Sequence, residues 1–345
     1  MFVHLGAADV PFERGVVTLS FDTEQIWGYL DLFDEEQFLN RYPRAIDTHE
    51  YLLKHLCAAG VSATWFLVGG LALDRSEGPL DPRFSGLPDE WLRRVRNGNE
   101  FTAPLWYRRT FVERLRDSPG QEIGIHGGLT HLIWNHSHTT PSVAARELTR
   151  GISAFSELGV RATSFSYPRD QEAYQNLLVA NGVQCYRGRL QARAHLLGRT
   201  FRGRLLRIAD EIRRAAPVVV WPEERLPGLW NIPSSMFLYP LGRTRTRFVG
   251  IRTRVERFAR GVEAAARERG IFHFCLHPEN LAEHPSGLSL LDDCLAEVVK
   301  MRDRGDVEVL TVGEVASRMN QFKADRYGAA HDASHEVGTM PASGD

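Results

Sequence analysis

The feature that most constrains this chain is an alternation of short apolar runs with longer amphipathic segments. Gly15-Val-Val-Thr-Leu-Ser-Phe21 is apolar and rich in β-branched residues, the pattern of a strand buried on both faces, and it runs into Asp22. Tyr42–Ala59 carries Ile46, Leu52, Leu53 and Leu56 on one face, with Gly60 as its C-cap, and predicts a helix. Val61–Val68 is a second strand-like run, broken by Gly69-Gly70. A strand, a helix and a strand in that order predict parallel pairing, because parallel neighbours need a long crossover. Glu122–His126, Ala162–Tyr167, Phe272–Leu276 and Val307–Thr311 read as further strands. Ser142 is placed to cap a helix bearing Val143, Leu148, Ile152 and Phe155. Gln171–Ala180, Leu290–Met301 and Gly313–Met319 complete the helices. The expectation is one α/β domain over residues 1–322, with insertions near 74–118 and 187–229. The tail, 323–345, is polar and rich in Gly and Ala and is expected to lack fixed structure.

Composition narrows the function classes. A chain of 345 residues with 43% hydrophobic and 25% charged residues is ordinary for a globular protein, and a net charge of -1 does not steer it to nucleic acid. Cys57, Cys185, Cys275 and Cys294 are scattered, with no C-x-x-C pair, and read as reduced thiols rather than a disulfide frame. Met1–Arg14 shows no basic region followed by an apolar one, and no run of about 18 apolar residues exists. The expectation is a cytoplasmic protein.

Four polar motifs follow four of the predicted strands: Asp22, His126, Pro168-Arg169 and His277. In a closed parallel barrel those strand ends share one face, where catalytic groups gather; in an open sheet they would mark a crevice. His126 and His131 lie close together after a strand, and imidazole is the commonest protein ligand for zinc. Surface or packed histidines are the plain alternative, and that is the reading for His136 and His138 nearby. Strand alternation puts Asp22 and Glu24 on one side. His277 suits a proton donor because its ordinary pKa lies near neutrality. His273, an even number of positions earlier, is a supporting or simply packed residue.

In chain order, Leu19-Ser-Phe-Asp-Thr-Glu24, His126–His131, Phe165-Ser-Tyr-Pro-Arg-Asp-Gln171 and Phe274-Cys-Leu-His-Pro278 resemble the motifs of the polysaccharide deacetylase (NodB-homology) family. The matches span roughly residues 16 to 320. The resemblance implies a distorted (β/α) barrel, often seven-stranded, one divalent metal, usually zinc, and metal-assisted hydrolysis of an N-acyl group on a sugar. It implies Asp22 as general base, paired with Arg169, and His277 as general acid. It implies Glu24, His126 and His131 as metal ligands. The chain departs from the pattern in three places. Thr23 stands where a second Asp is common, so Glu24 takes the metal position on the precedent of Asp-x-Glu branches. Four residues separate the histidines where three are usual, and Gly127-Gly128 can absorb the extra one; His138 is the alternative ligand. Trp230–Phe237 lacks the Asp that tunes the family's last histidine, which leaves Glu223 or Glu224 as substitutes.

Trp27, Trp106 and Trp134 fall near the motif loops and are candidates to stack on a sugar, although tryptophan fills cores equally well. Arg187, Arg189, Arg193, Arg199, Arg202, Arg204, Arg207, Arg213 and Arg214 crowd one leucine-bearing segment. Residues 187–214 could lie on the inner face of a membrane or bind phosphate groups, or form a solvated helix packed by its leucines. The expected substrate is a phosphorylated or lipid-linked amino sugar of bacterial surface-glycan synthesis, deacetylated or deformylated. The rival readings are a cyclic amide or ureide hydrolase of the same fold, a non-catalytic glycan-binding relative, and a membrane adaptor.

Overall fold

The computed structural model describes residues 10–75, 81–191, 200, 202–203, 209–210, 212–241 and 249–336. Among these residues ten strands form a single sheet: β1 (Gly15–Thr23), β2 (Ala63–Leu67), β3 (Gln121–His126), β4 (Ser164–Ser166), β5 (Cys185–Leu190), β6 (Glu223–Leu226), β7 (Leu229–Ser234), β8 (Met236–Phe237), β9 (Ile271–Leu276) and β10 (Val307–Val309). Their order is β6-β7-β5-β4-β3-β2-β1-β9-β8, with β10 beside the start of β1.

Only Ser235 separates β7 from β8. The first of them pairs in parallel with β5 and the second in parallel with β9, so one short segment closes the sheet on itself. The result is a distorted barrel of seven parallel staves: β1, β2, β3, β4, β5, the β7–β8 segment and β9. The Ser235 N–H donates to the His273 carbonyl at 2.8 Å and seals the seam. The antiparallel β6 hangs on the outer edge of β7.

The strands form where expected for a physical reason. All nine residues of β1 are buried, and a strand covered on both faces needs a continuous apolar run. Ala45–Ala59 buries Leu52, Leu53 and Leu56 in the main core and ends at Gly60, whose φ of 58° is left-handed. Pro141–Ser156 is capped two residues earlier than the sequence suggests: the Thr140 hydroxyl, not Ser142, accepts from the Val143 N–H. The described residues of 69–108 form short helical turns at Gly69–Ala72, Pro82–Phe84, Asp89–Leu92 and Ala103–Leu105. Within the expected insertion, however, Arg109–Arg116 is a helix that buries Phe111, Val112 and Leu115 in the main core. Likewise 187–190 belongs to a barrel strand, β5. The last helix runs Val312–Glu336, so helical structure continues past Lys323. Most of the arginine-rich segment, including Arg193, Arg199, Arg204 and Arg207, lies outside the described residues. Among the described residues no helix is long and apolar enough to cross a membrane.

Candidate metal centre

Register brings the polar motifs together. His126 sits opposite Ser166, and Ser166 opposite Arg187, so β3, β4 and β5 present these groups on one rung. Phe21 pairs with Leu276, which puts Asp22 and His277 side by side, one residue farther on. Glu24 Oε2 lies 3.0 Å from His126 Nε2 and 2.8 Å from His131 Nε2, and the two Nε2 atoms are 3.1 Å apart. All three residues are buried, and they form the one Glu/His/His cluster of metal-holding geometry among the described residues. His126 Nδ1 faces the Ser166 carbonyl at 3.0 Å. A carbonyl only accepts, so Nδ1 carries the proton and Nε2 turns its lone pair inward. Three electron-pair donors pointed at one spot repel unless a cation or proton lies between them. The donor set therefore fits a divalent ion that takes imidazole and carboxylate ligands.

The lengthened histidine spacing is accommodated at the glycines. Gly127 and Gly128 have φ of 78° and 154°. A Cβ on Gly128 would come within 2.6 Å of the Glu147 backbone. Glu147, buried in the facing helix, accepts from the Thr130 N–H (2.8 Å) and hydroxyl (2.6 Å), and pins the loop that delivers His131. His136 and His138 stay on an exposed loop.

Asp22 does not pair with Arg169. Its carboxylate is gripped by Arg187 through two contacts, Nη1 to Oδ1 at 2.6 Å and Nη2 to Oδ2 at 2.8 Å. Arg169 instead reaches Asp31 at 2.7 Å on the rim. The turn after β4 explains the difference. Arg169 and Asp170 adopt left-handed φ of 58° and 54°, which swings the Arg169 side chain outward. The pairing cation then comes from the next strand, where the Cβ direction of Arg187 points inward beside Ser166. Burial alone would raise the Asp22 pKa, but Arg187, with His126 and His277, holds it down at about 2. Burial likewise opposes the charge on Glu24, and the neighbouring histidines drive its carboxyl well below the usual range.

No family model and no curated protein matches the sequence. Solved structures do. A protein from Mycobacterium smegmatis named as a polysaccharide deacetylase aligns over 94% of this chain and 96% of its own, with a TM-score of 0.59 at 17% identity. Another so named, from Pseudomonas aeruginosa, aligns over 89% and 91%, with a TM-score of 0.54 at 12% identity. The chain has the polysaccharide deacetylase fold.

On that deacetylase fold the remaining expected residues divide. His277 Nε2 lies 3.4 Å from Glu24 Oε1 and 3.7 Å from Asp22 Oδ2, its ring edge-on to Phe237 at the pocket wall. Glu223 and Glu224 do not serve it: the first accepts from Asn231 and the second pairs with Lys323. His273 is packed and satisfied, with Nδ1 at 3.1 Å from the Pro233 carbonyl and Nε2 at 2.8 Å from the Ser20 hydroxyl. Burial and the Arg187 charge lower its pKa to about 3, so it is a neutral ring. Trp27, Trp106 and Trp134 are 0%, 1% and 0% exposed and cannot stack on a ligand. Their indole N–H groups bond to the Trp106 carbonyl, the Glu35 carboxylate and the Gly127 carbonyl respectively. They support the site from behind. The more accessible aromatic residues at the pocket, a cavity of about 390 Å³, are Tyr29, Phe237 and Tyr239.

Arg187 was visible in the sequence only as one of a cluster of arginines. A sharper signal existed. Asn181-Gly182 stops a helix, Val183-Gln-Cys-Tyr186 follows as a short apolar run, and Arg187 ends it, the same grammar as Asp22 and His126.

Proposed function

We propose that this chain is a metal-dependent hydrolase that removes an N-acyl group, acetyl or formyl, from an amino sugar. The observation that carries the proposal is the convergence of Glu24, His126 and His131 beside Asp22 and His277 at one barrel mouth. The resemblance of four ordered motifs to the deacetylase family, and the shared fold, support it. A divalent metal held by these three residues, zinc in our reading, would supply Lewis acidity at an acyl carbonyl and ease the ionisation of water.

This chain's own residues would do the rest. Asp22 remains ionised down to about pH 2 and sits beside the ligands, placed to receive the proton of the attacking water. Arg187 keeps that carboxylate aimed. His277, a quarter exposed at the pocket wall, is placed to hand a proton to the departing amine. The aromatic faces of Tyr29, Phe237 and Tyr239 favour a sugar over a small cyclic amide. We extend the proposal to phosphorylated or lipid-linked amino sugars of surface-glycan synthesis, on the basic composition of residues 187–214.

The test is elemental analysis of protein purified without a metal-affinity tag, followed by assays on N-acetyl and N-formyl amino sugars and their phosphates. About one equivalent of metal, lost in His126→Ala and His131→Ala, together with hydrolysis lost in Asp22→Asn, is expected. A wild-type protein that takes up no zinc, or an Asp22→Asn variant with full activity, would sink the proposal.

A further inference from the structure

We propose that Glu279 is a positioning residue for the metal ligand Glu24, acting through the backbone of Gln25. The inference rests on the metal-centre reading above and adds to it a residue that no motif marks.

Immediately after Glu24 the chain turns hard. Gln25 has φ of 48°, a left-handed conformation that a non-glycine residue adopts only when its surroundings hold it there. Gln25 is fully buried, and its N–H donates to Glu279 Oε1 at 3.0 Å. Its side-chain amide lies 2.9 Å from His49 Nδ1, which in turn sits 2.7 Å from the Ala45 carbonyl. The short helical turn that follows, Gln25–Tyr29, is the seat of the Glu24 carboxylate: a Cβ on Gly28 would fall 2.0 Å from the Glu24 carboxyl carbon. Wherever that turn goes, the ligand carboxylate goes with it.

Glu279 is 0% exposed. Its second oxygen, His49 Nε2 and Gln25 Oε1 have no hydrogen-bond partner among the described residues, and His49 Nε2 stands 3.7 Å from Glu279 Oε1. A carboxyl sunk this deep is costly, and an apolar side chain would fill the space at less expense. What an apolar side chain could not do is accept the Gln25 N–H, a buried donor that must be paired. Glu279 also stands two residues after His277, in the helix Pro278–Ala282. The same contact therefore ties the segment bearing Glu24 to the segment bearing His277, and sets the spacing between ligand and acid.

Zinc titration against a competing chelating dye, with melting of the metal-free protein as a second readout, tests this on the full chain. Glu279→Leu removes the acceptor and should weaken zinc binding about 10- to 100-fold, the usual effect of losing a group that orients a ligand. Glu279→Gln keeps an oxygen for the Gln25 N–H and should stay within about threefold of wild type. Should Glu279→Leu fail to fold, Glu279→Asp puts the same question: one methylene shorter, it draws the acceptor away, and weaker binding is again expected. Wild-type affinity in Glu279→Leu or Glu279→Asp would overturn the inference, as would an equal loss in Glu279→Gln. A wild-type protein that binds no zinc would instead sink the metal-centre reading, and the inference with it.

Discussion

At the scale of single residues, the pairing of Asp22 with Arg187 is the contact that most separates this site from its sequence motif. A bidentate guanidinium fixes both the ionisation and the direction of the carboxylate. Arg187→Met should therefore lower kcat/KM by about 100-fold or more, the range of a lost acid–base group, whereas Arg169→Ala should cost far less. Steady-state kinetics on both variants check the assignment, and equal losses would restore Arg169. The same pair has a pH signature. The Asp22 pKa is depressed in the folded state, from 3.8 to about 2. Its stabilising contribution is thus present above the unfolded value and is lost as pH falls through the folded one. A shift of that size corresponds to about 2 kcal/mol. Asp22→Asn, which leaves Arg187 buried without its counter-charge, should be less stable than wild type at pH 6. Denaturant melts of the metal-free proteins should show that gap narrowing by about 2 kcal/mol between pH 5 and pH 2. A constant gap would mean that Asp22 titrates normally.

At the scale of elements, the strands that the sequence made legible were β1, β2, β3, β4, β9 and β10, and for β1, β2 and β9 the reason is burial of every residue, which demands a nearly continuous apolar run. Two barrel strands were not legible. In β5, Cys-Tyr-Arg-Gly-Arg-Leu carries two arginines, and the inward one is tolerated because Asp22 pairs with it. In β7, Leu-Trp-Asn-Ile-Pro-Ser contains Pro233, a residue that argues against a central strand. Here it pairs with Gly188, where the register between β5 and β7 shifts, and such an irregularity is where a strand tolerates a residue without an N–H. The turn after β4 carries Arg169 to Asp31 rather than to Asp22, and nothing in Pro-Arg-Asp announces the two left-handed residues that do so. The glycine pair of the histidine loop was legible, because only glycine takes both of its conformations. Gly128→Ala puts a Cβ against the Glu147 backbone at 2.6 Å and forces a φ of 154° on an alanine. It should cost about 1–3 kcal/mol of stability and displace His131, which zinc titration would register as weaker binding. Unchanged melting and zinc affinity would mean that the loop has an easier conformation open to it.

At the scale of the whole molecule, the division of aromatic residues between core and pocket decides what the barrel mouth can recognise. Proximity to a motif in sequence could not make that division. Trp27 and Trp106 meet edge to face at 5.3 Å beneath the site, while Phe237 and Tyr239, on the segment that closes the barrel, turn toward the pocket. The closing segment thus has two roles, since one end completes the sheet and the other lines the cavity. Core and wall should respond differently to truncation. Trp106→Phe removes the indole N–H that meets Glu35 and opens a void, so it should lower stability by about 1–3 kcal/mol with KM unchanged. Phe237→Ala leaves the seam hydrogen bond at Ser235 in place and should raise KM several-fold with a smaller change in melting temperature. Paired melting and kinetic measurements separate the two. A higher KM in Trp106→Phe with no loss of stability would return that tryptophan to the substrate, and would require the segment that holds it to move when a ligand binds.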